Sequence, residues 1–150
     1  MRKSIVQCFA CAIALALAIP SLAGGFFLVL GNPEASPAAR RLNAVLTIRA
    51  AGCGNPNDAR IAAAAVGAVN GERREIPLKL EPAGEPGFYA VTRQWPAEGR
   101  WVLRFVGTDH DRVTHTLVPA GPDGVDRTSA KLAMTRPADA DIARMLASGK

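Results

Sequence analysis

The chain has 150 residues, of which 18 are Lys or Arg and 13 are Asp or Glu, so its formal net charge is +5. This length allows one domain with a core of ordinary size. The positive charges are scattered, and the pair Arg73-Arg74 lies between Glu72 and Glu75. Such a mild, dispersed charge argues against nucleic acid as a partner.

The amino terminus has the order of a secretory signal. Arg2 and Lys3 precede an uncharged apolar run over residues 5–19, and a proline and small residues follow. Signal peptidase recognises small residues at this position. We therefore predict a signal peptide over residues 1–23, cleaved between Ala23 and Gly24, and a mature protein in the periplasm or outside the cell.

An uncleaved membrane anchor is the alternative, because the apolar character continues through residues 24–30 to a length that can span a bilayer. Gly24 and Gly25 interrupt that run, which favours cleavage. A membrane is thus a partner only if the segment stays uncleaved. A lipidated amino terminus is not expected, because Cys8 and Cys11 lie before the cleavage site and no Cys follows it directly.

Cleavage leaves Cys53 as the only cysteine and, by removing two of the 18 basic residues, lowers the net charge to +3. A mature chain with one Cys has no internal disulfide, so burial must hold the fold together. Cys53 is a candidate for an intermolecular disulfide. A buried or idle thiol is the favoured interpretation, because no Lys, Arg or His adjoins Cys53 to stabilise a thiolate.

Short alternating or apolar segments separated by turn residues predict about seven strands. They cover residues 26–30, 44–50, 60–69, 76–81, 89–95, 101–105 and 113–118, and residues 128–134 can add a last one. Between the first two strands, Ser36 and Pro37 suit the start of a helical turn, and a plain loop fits as well.

Residues 60–69 are ambiguous, because their alanines favour a helix. A strand is preferred, since Asn70-Gly71 directly after an alternating segment is a hairpin signal. Pro77 cannot donate to a ladder, so the strand over residues 76–81 is expected to lie at a sheet edge or to have its amide side free.

The stretch from Pro86 to Pro119 is the centre of the predicted fold. We expect its first two strands to form a hairpin around residues 96–99, and a third strand to follow across Asp109-His110-Asp111-Arg112. Its large side chains Tyr89, Trp95, Trp101 and Phe105 are the predicted anchor of the core.

These elements predict an all-β fold, an immunoglobulin-like antiparallel β-sandwich over residues 24–136. A closed barrel is the alternative. Residues 137–150 are expected to form a short helix or a frayed tail, loosely packed because a helix of this length is marginal alone.

Tyr89 after Pro86-Gly87, and then the run from Trp95 to Leu103, resemble the hairpin of small exported immunoglobulin-like domains of bacteria, the YtkA-like and related families. The resemblance covers roughly a third of the chain. It implies an immunoglobulin-like fold and a non-enzymatic exported module; fold alone implies no activity.

His110 and His115, with Asp109 and Asp111 beside them, are the candidates for a Zn or Cu site. A separation of five places the two imidazoles on opposite faces of an extended chain, and the aspartates suit a turn. We therefore predict no metal and no cofactor. No serine lies in a nucleophile motif, so no catalytic residue and no enzymatic activity are predicted either.

Arg93, Arg100 and Arg104 are the candidate partner surface, on or near the sheet face away from Trp101. An ordinary solvated face is the competing interpretation. The predicted function is an exported, non-enzymatic binding or structural module of the bacterial envelope, acting on an unidentified protein or envelope component. A metal-handling accessory protein and a membrane-tethered subunit of an envelope complex are the alternatives.

Overall fold

A computed structural model describes residues 25–52 and 55–148. The predicted signal segment with its cleavage site at Ala23 and Gly24 lies outside the described residues, and so does Cys53. The predictions made for them stay predictions.

The described residues form ten strands and two α-helices, with single 3₁₀ turns at Pro33–Ala35 and Pro56–Asp58. The strands are β1 (Phe27–Gly31), β2 (Leu46–Ala51), β3 (Arg60–Val69), β4 (Glu72–Leu78), β5 (Leu80–Pro82), β6 (Phe88–Val91), β7 (Trp101–Asp109), β8 (Arg112–Gly121), β9 (Gly124–Val125) and β10 (Lys131–Ala133). The helices are α1 (Pro37–Arg41) and α2 (Asp139–Ser148).

The strands make two antiparallel sheets, which confirms the all-β prediction at the level of architecture. The small sheet has the order β1-β2-β6-β5, and the large sheet has the order β10-β8-β7-β3-β4, with β9 also paired to β8. Both sheets contribute to one core. Its largest buried members include Phe26, Leu46, Ile48 and Val91 beside the small sheet and Trp101, Leu103, Phe105 and Val118 in the large sheet.

The alanine-rich segment is a strand, as predicted. β3 pairs with β4 through the turn at Asn70-Gly71, and both turn residues have positive φ angles, 52° and 81°. Two such residues are what the tightest hairpin turn requires. β4 is a sheet edge, which confirms the position predicted for Pro77.

The predicted central hairpin is wrong. β6 belongs to the small sheet and β7 to the large sheet, so residues 92–100 cross between the sheets. This connection is longer than the loops of two to five residues that usually join hairpin strands. Alternation continued through Trp95 in sequence, but alternation alone does not say which sheet a strand joins.

The predicted strand over residues 76–81 is also wrong as one element. β4 ends at Leu78 in the large sheet, and β5 begins at Leu80 in the small one. Between them the amide of Gln94 substitutes for a strand partner: its Oε1 accepts from the Lys79 N–H at 2.8 Å, and its Nε2 donates to the Lys79 carbonyl at 2.9 Å. The chain can therefore change sheets without leaving Lys79 unpaired.

The aromatic side chains do anchor the core. Trp101 is 1 % exposed, and Phe105 and Trp95 are buried with it, while Tyr89 packs against the same cluster. The Trp101 Nε1–H donates to the Glu98 carbonyl at 3.0 Å. A Cβ on Gly67 would lie 2.5 Å from the Trp101 ring, so a glycine there lets the indole sit directly on β3.

A helix covers the outer face of each sheet. α2 packs Ile142 and Met145 onto Val66, Val102 and Leu117 of the large sheet. The short C-terminal helix is confirmed, and the expectation that it is loosely packed is wrong, because two of its side chains are buried. α1 covers the small sheet, and its start at Ser36 and Pro37 confirms the helical turn, with the Ser36 Oγ accepting from the Ala39 N–H at 3.2 Å.

Candidate binding cleft

The structure does not bring the two histidines together. His110 lies exposed in the tight turn between β7 and β8 with a φ of 54°. His115 lies further along β8, opposite Val106, and is largely buried. Within the described ranges, no three His, Cys, Asp or Glu side chains are grouped so as to hold a metal ion.

The charged side chains near each histidine contribute to local structure and to its pKa. The Asp109 carboxylate accepts from the His110 Nδ1 at 2.8 Å and pairs with Arg112, and these contacts lower the pKa of Asp109. Burial lowers the pKa of His115, and the nearby charges of Arg104 and Arg136 lower it further. The first group stabilises a turn, and burial and nearby arginines disfavour the protonated form of the second.

Each of the three predicted partner arginines makes a contact within the chain. Arg93 donates to the Gly121 carbonyl at 3.2 Å and lies over the Trp95 ring. Arg100 donates to carbonyls in the last turn of α2, and Arg104 pairs with Glu75. Arg104 is on the sheet face away from Trp101, as predicted. Their role as a partner surface stays a prediction, and a partner would have to share or replace these contacts.

A cleft lies on the outer face of the small sheet, beside α1. Strand register places Val29, Arg49 and Phe88 in one row across β1, β2 and β6. α1 packs onto this sheet through small side chains, Ala39 against Ala83 and Ala90. Because alanines fill little volume, space remains between the helix, the turn before it and the row.

The cleft consists of two adjoining cavities of about 450 and 200 Å³. Ala35, Ser36, Arg49 and Phe88 line both of them. The larger cavity continues over Pro37, Ala38, Arg41, Ala83, Gly84 and Glu85, and the smaller one over Val29, Gly31, Asn32 and Thr47. Together they reach the size of ordinary small-molecule sites.

Two cations stand at this cleft. Arg41 and Arg49 are exposed, and within the part of the chain that the structure describes neither forms an ion pair. The one carboxylate of the lining is Glu85. Phe88 and several alanines supply apolar surface, so the site combines an apolar floor with guanidinium groups free to bind a carboxylate, sulfonate or phosphate.

Close packing shapes the narrow end of the cleft. Gly31 lies against Thr47, and a Cβ at Gly31 would come within 2.4 Å of the Thr47 Oγ1. Any side chain at Gly31 would therefore displace Thr47, which lines the smaller cavity. Gly31 therefore leaves room for the Thr47 hydroxyl beside it.

The sequence indicated the parts of the cleft but not their meeting. Alternation in the strand predicted over residues 44–50 puts Arg49 on the face away from Ile48, and Ser36 and Pro37 suit the start of a helical turn or a plain loop. Nothing local shows that this turn folds back over Arg49 and Phe88, since that depends on contacts between segments distant in the chain. The signal that the sequence does offer for this contact is the small size of the residues that meet there, namely the alanines of α1 with Ala83 and Ala90.

A further cavity of about 210 Å³ lies between α2 and the turn after β8. It is lined by Arg100, Trp101, Met145 and Asp126, among others. The Asp126 carboxylate already accepts hydrogen bonds from Ser129 and Thr128, which lower its pKa to about 2. Because its polar groups are used within the chain, this cavity is the weaker candidate.

Comparison with known proteins adds no relative: no protein family, curated protein or solved structure matches the chain. No helix in the described ranges is long and apolar enough to cross a membrane.

Proposed function

We propose that this chain is an exported, non-enzymatic binding module of the bacterial envelope, with an immunoglobulin-like sandwich as its scaffold, and that the cleft beside α1 is its binding site. The observation that carries the proposal is the pair Arg41 and Arg49 standing over an apolar floor without a carboxylate partner among the described residues. The signal-like order of residues 1–23 supports export.

The charged and apolar side chains of the cleft indicate which class of ligand it can bind. Arg49 lies in the middle of the row, between Val29 and Phe88, so a bound anionic group would sit next to apolar surface. A hydrogen bond to a charged group contributes about 1.5–3 kcal/mol, and burial of an apolar body adds to it. The cleft therefore suits an anion attached to an aromatic or aliphatic body.

Anilinonaphthalene sulfonate, a fluorescent aromatic anion, is a direct probe of the cleft. We expect saturable binding to the wild-type protein, and binding weaker by on the order of tenfold in Arg49→Gln, which keeps a shorter polar side chain but removes the guanidinium and its charge. Arg74→Gln is the matched control, because it removes the same charge from the exposed edge of the large sheet.

Two results would contradict the proposal. One is equal affinity of the probe for wild type and Arg49→Gln. The other is an equal loss of affinity in Arg74→Gln, which would show that only the net charge matters. Circular dichroism of each variant checks that the fold is intact, because this dye also binds partly unfolded chains.

Export has its own test. Mass spectrometry of the protein recovered from the periplasm or medium is expected to give an amino terminus at Gly24. An amino terminus upstream of residue 24, on a protein that fractionates with membranes after a high-salt wash, would instead favour the tethered subunit.

A further inference from the structure

The larger cavity of the cleft holds a carboxylate as well as the two guanidinium groups. Glu85 lines this cavity but not the smaller one, whereas Arg49 lines both. Glu85 is exposed, and among the residues that the structure describes it forms no ion pair. The cleft thus carries unpaired charges of both signs. A ligand that is only an anion leaves the Glu85 carboxylate without a counter-charge.

A tight turn holds Glu85 beside the cleft. Residues 85–88 form a turn in which the Phe88 N–H donates to the Glu85 carbonyl at 3.1 Å. Pro86 at the second position and Gly87 at the third, with a φ of 74°, are typical of a type II turn. The Phe88 carbonyl in turn accepts from the Ala83 N–H at 3.0 Å. The carboxylate therefore belongs to an ordered turn that ends at a residue of the cleft floor.

Strand register gives the distance scale between the opposite charges. Arg49 is paired with Phe88, and Ala83 is hydrogen-bonded to Phe88 from the other side. Neighbouring strands lie about 4.8 Å apart, so the backbones of Arg49 and Ala83 are separated by about 10 Å. Glu85 follows Ala83 by two residues. Arg49 and the turn that carries Glu85 thus lie on either side of Phe88.

We propose, on the basis of the function proposed above, that the ligand of the cleft is a short peptide of about three residues with free ends. Its terminal carboxylate pairs with Arg49 and Arg41, and its terminal ammonium pairs with Glu85. An apolar side chain between the two ends packs on Phe88.

The length of the peptide follows from the spacing of the charges. An extended chain of three residues spans about 10 Å, which is the scale set by the two strand spacings. A free α-amino acid carries both charges on substituents of a single carbon atom, so it cannot reach Arg49 and Glu85 together across Phe88. The cleft therefore discriminates in favour of peptides over single amino acids.

The probe is the tripeptide alanyl-phenylalanyl-alanine, titrated into the purified protein by isothermal titration calorimetry. We expect saturable binding of the peptide with both ends free. Acetylation of the amino end should weaken binding on the order of tenfold, and so should amidation of the carboxyl end, because each modification removes one charged pair.

Glu85→Gln tests the ammonium end of the site, and Glu72→Gln is its matched control. Both variants remove an exposed carboxylate that has no ion pair within the described ranges, but Glu72 lies on β4 at the edge of the large sheet. In Glu85→Gln we expect the free and the acetylated peptide to bind equally, because the group that distinguishes them is absent. In Glu72→Gln the tenfold difference should remain.

Three results would overturn the proposal. They are no saturable binding of the free tripeptide, equal binding of the free and a capped peptide to the wild-type protein, and a preference for the free amino end that persists in Glu85→Gln.

Anilinonaphthalene sulfonate distinguishes a failure of this proposal from a failure of the proposed function, because the dye carries no ammonium group. If the dye loses affinity in Arg49→Gln while acetylation of the peptide changes nothing, the cleft binds anions and only the peptide assignment is wrong. An affinity of the dye that is the same in wild type and Arg49→Gln contradicts the proposed function itself.

Discussion

The two sheets differ in how completely they are covered. On the large sheet, α2 buries Ile142 and Met145 against three branched side chains, Val66, Val102 and Leu117. On the small sheet, α1 packs chiefly through alanines, with Phe88 beside them, and β1 is an edge strand among the residues that the structure describes. Both sheets share the core, and they differ in that the helix on the large sheet packs through branched side chains while the helix on the small sheet leaves a cleft beside it. Because the alanines of α1 fill little volume, the cleft beside this helix stays open for a ligand.

Trp101→Ala should have the largest effect on stability. It empties a fully buried position of the large sheet and removes the hydrogen bond to Glu98. We expect the free energy of unfolding to fall by about 3–5 kcal/mol. Chemical denaturation measures this free energy. An unchanged denaturant midpoint together with loss of a binding activity would show that the indole contacts a ligand and does not anchor the core.

Ile142→Ala tests whether α2 belongs to the fold. Its side chain is 2 % exposed and packs on Val102 and Leu117. Removing a buried isoleucine side chain should cost about 2–4 kcal/mol in the same assay. A loss below about 0.5 kcal/mol, the range of surface substitutions, would mean that the helix is frayed in solution. The outer face of the large sheet would then be uncovered as well.

Ser36→Ala should affect the small sheet more mildly. The Ser36 hydroxyl caps α1 by accepting from the Ala39 N–H, and loss of such a cap costs about 1 kcal/mol. Because Ser36 lines both cavities of the cleft, we also expect weaker binding of anilinonaphthalene sulfonate. Reduced stability with unchanged dye binding would contradict the account, because it would show that α1 does not shape the site where the dye binds.

The smallest effect is a pH dependence at His115. Its pKa lies below the ordinary value of 6.5, chiefly because of burial, so the unfolded chain binds a proton more readily than the folded one. Stability is therefore highest above about pH 6.5 and falls as the pH drops below that value. We expect a smaller drop between about pH 7.5 and about pH 5.5 in His115→Gln, with the exposed His110→Gln as control.

Local signals predicted most of the longer strands, because alternation and turn residues mark them, but they predicted neither β5 nor β9 as a separate strand. Asn70-Gly71 identified the β3–β4 hairpin, and Asp109 to Arg112 marked the β7–β8 turn. What the sequence could not show was which sheet each strand joins. The change at Lys79 depends on Gln94, fifteen positions away, and no local pattern connects them.

The candidate site was harder to predict for the same reason. The arginines that stood out in sequence, Arg93, Arg100 and Arg104, bind other parts of the chain. Arg49 has no distinguishing pattern in the sequence, and its place in the cleft follows from the packing of α1 beside it. A binding site made by packing between distant segments is visible only in three dimensions.

Mapping the bound probe on the structure tests the central claim most directly, namely that the small sheet is the binding side of the molecule. Backbone amide shifts can be followed by NMR during titration with anilinonaphthalene sulfonate. We predict that the largest changes cluster at Ser36, Arg49 and Phe88, with little change in α2 and β3. A cluster at α2 and the turn over residues 121–126, with the cleft unaffected, would contradict the account.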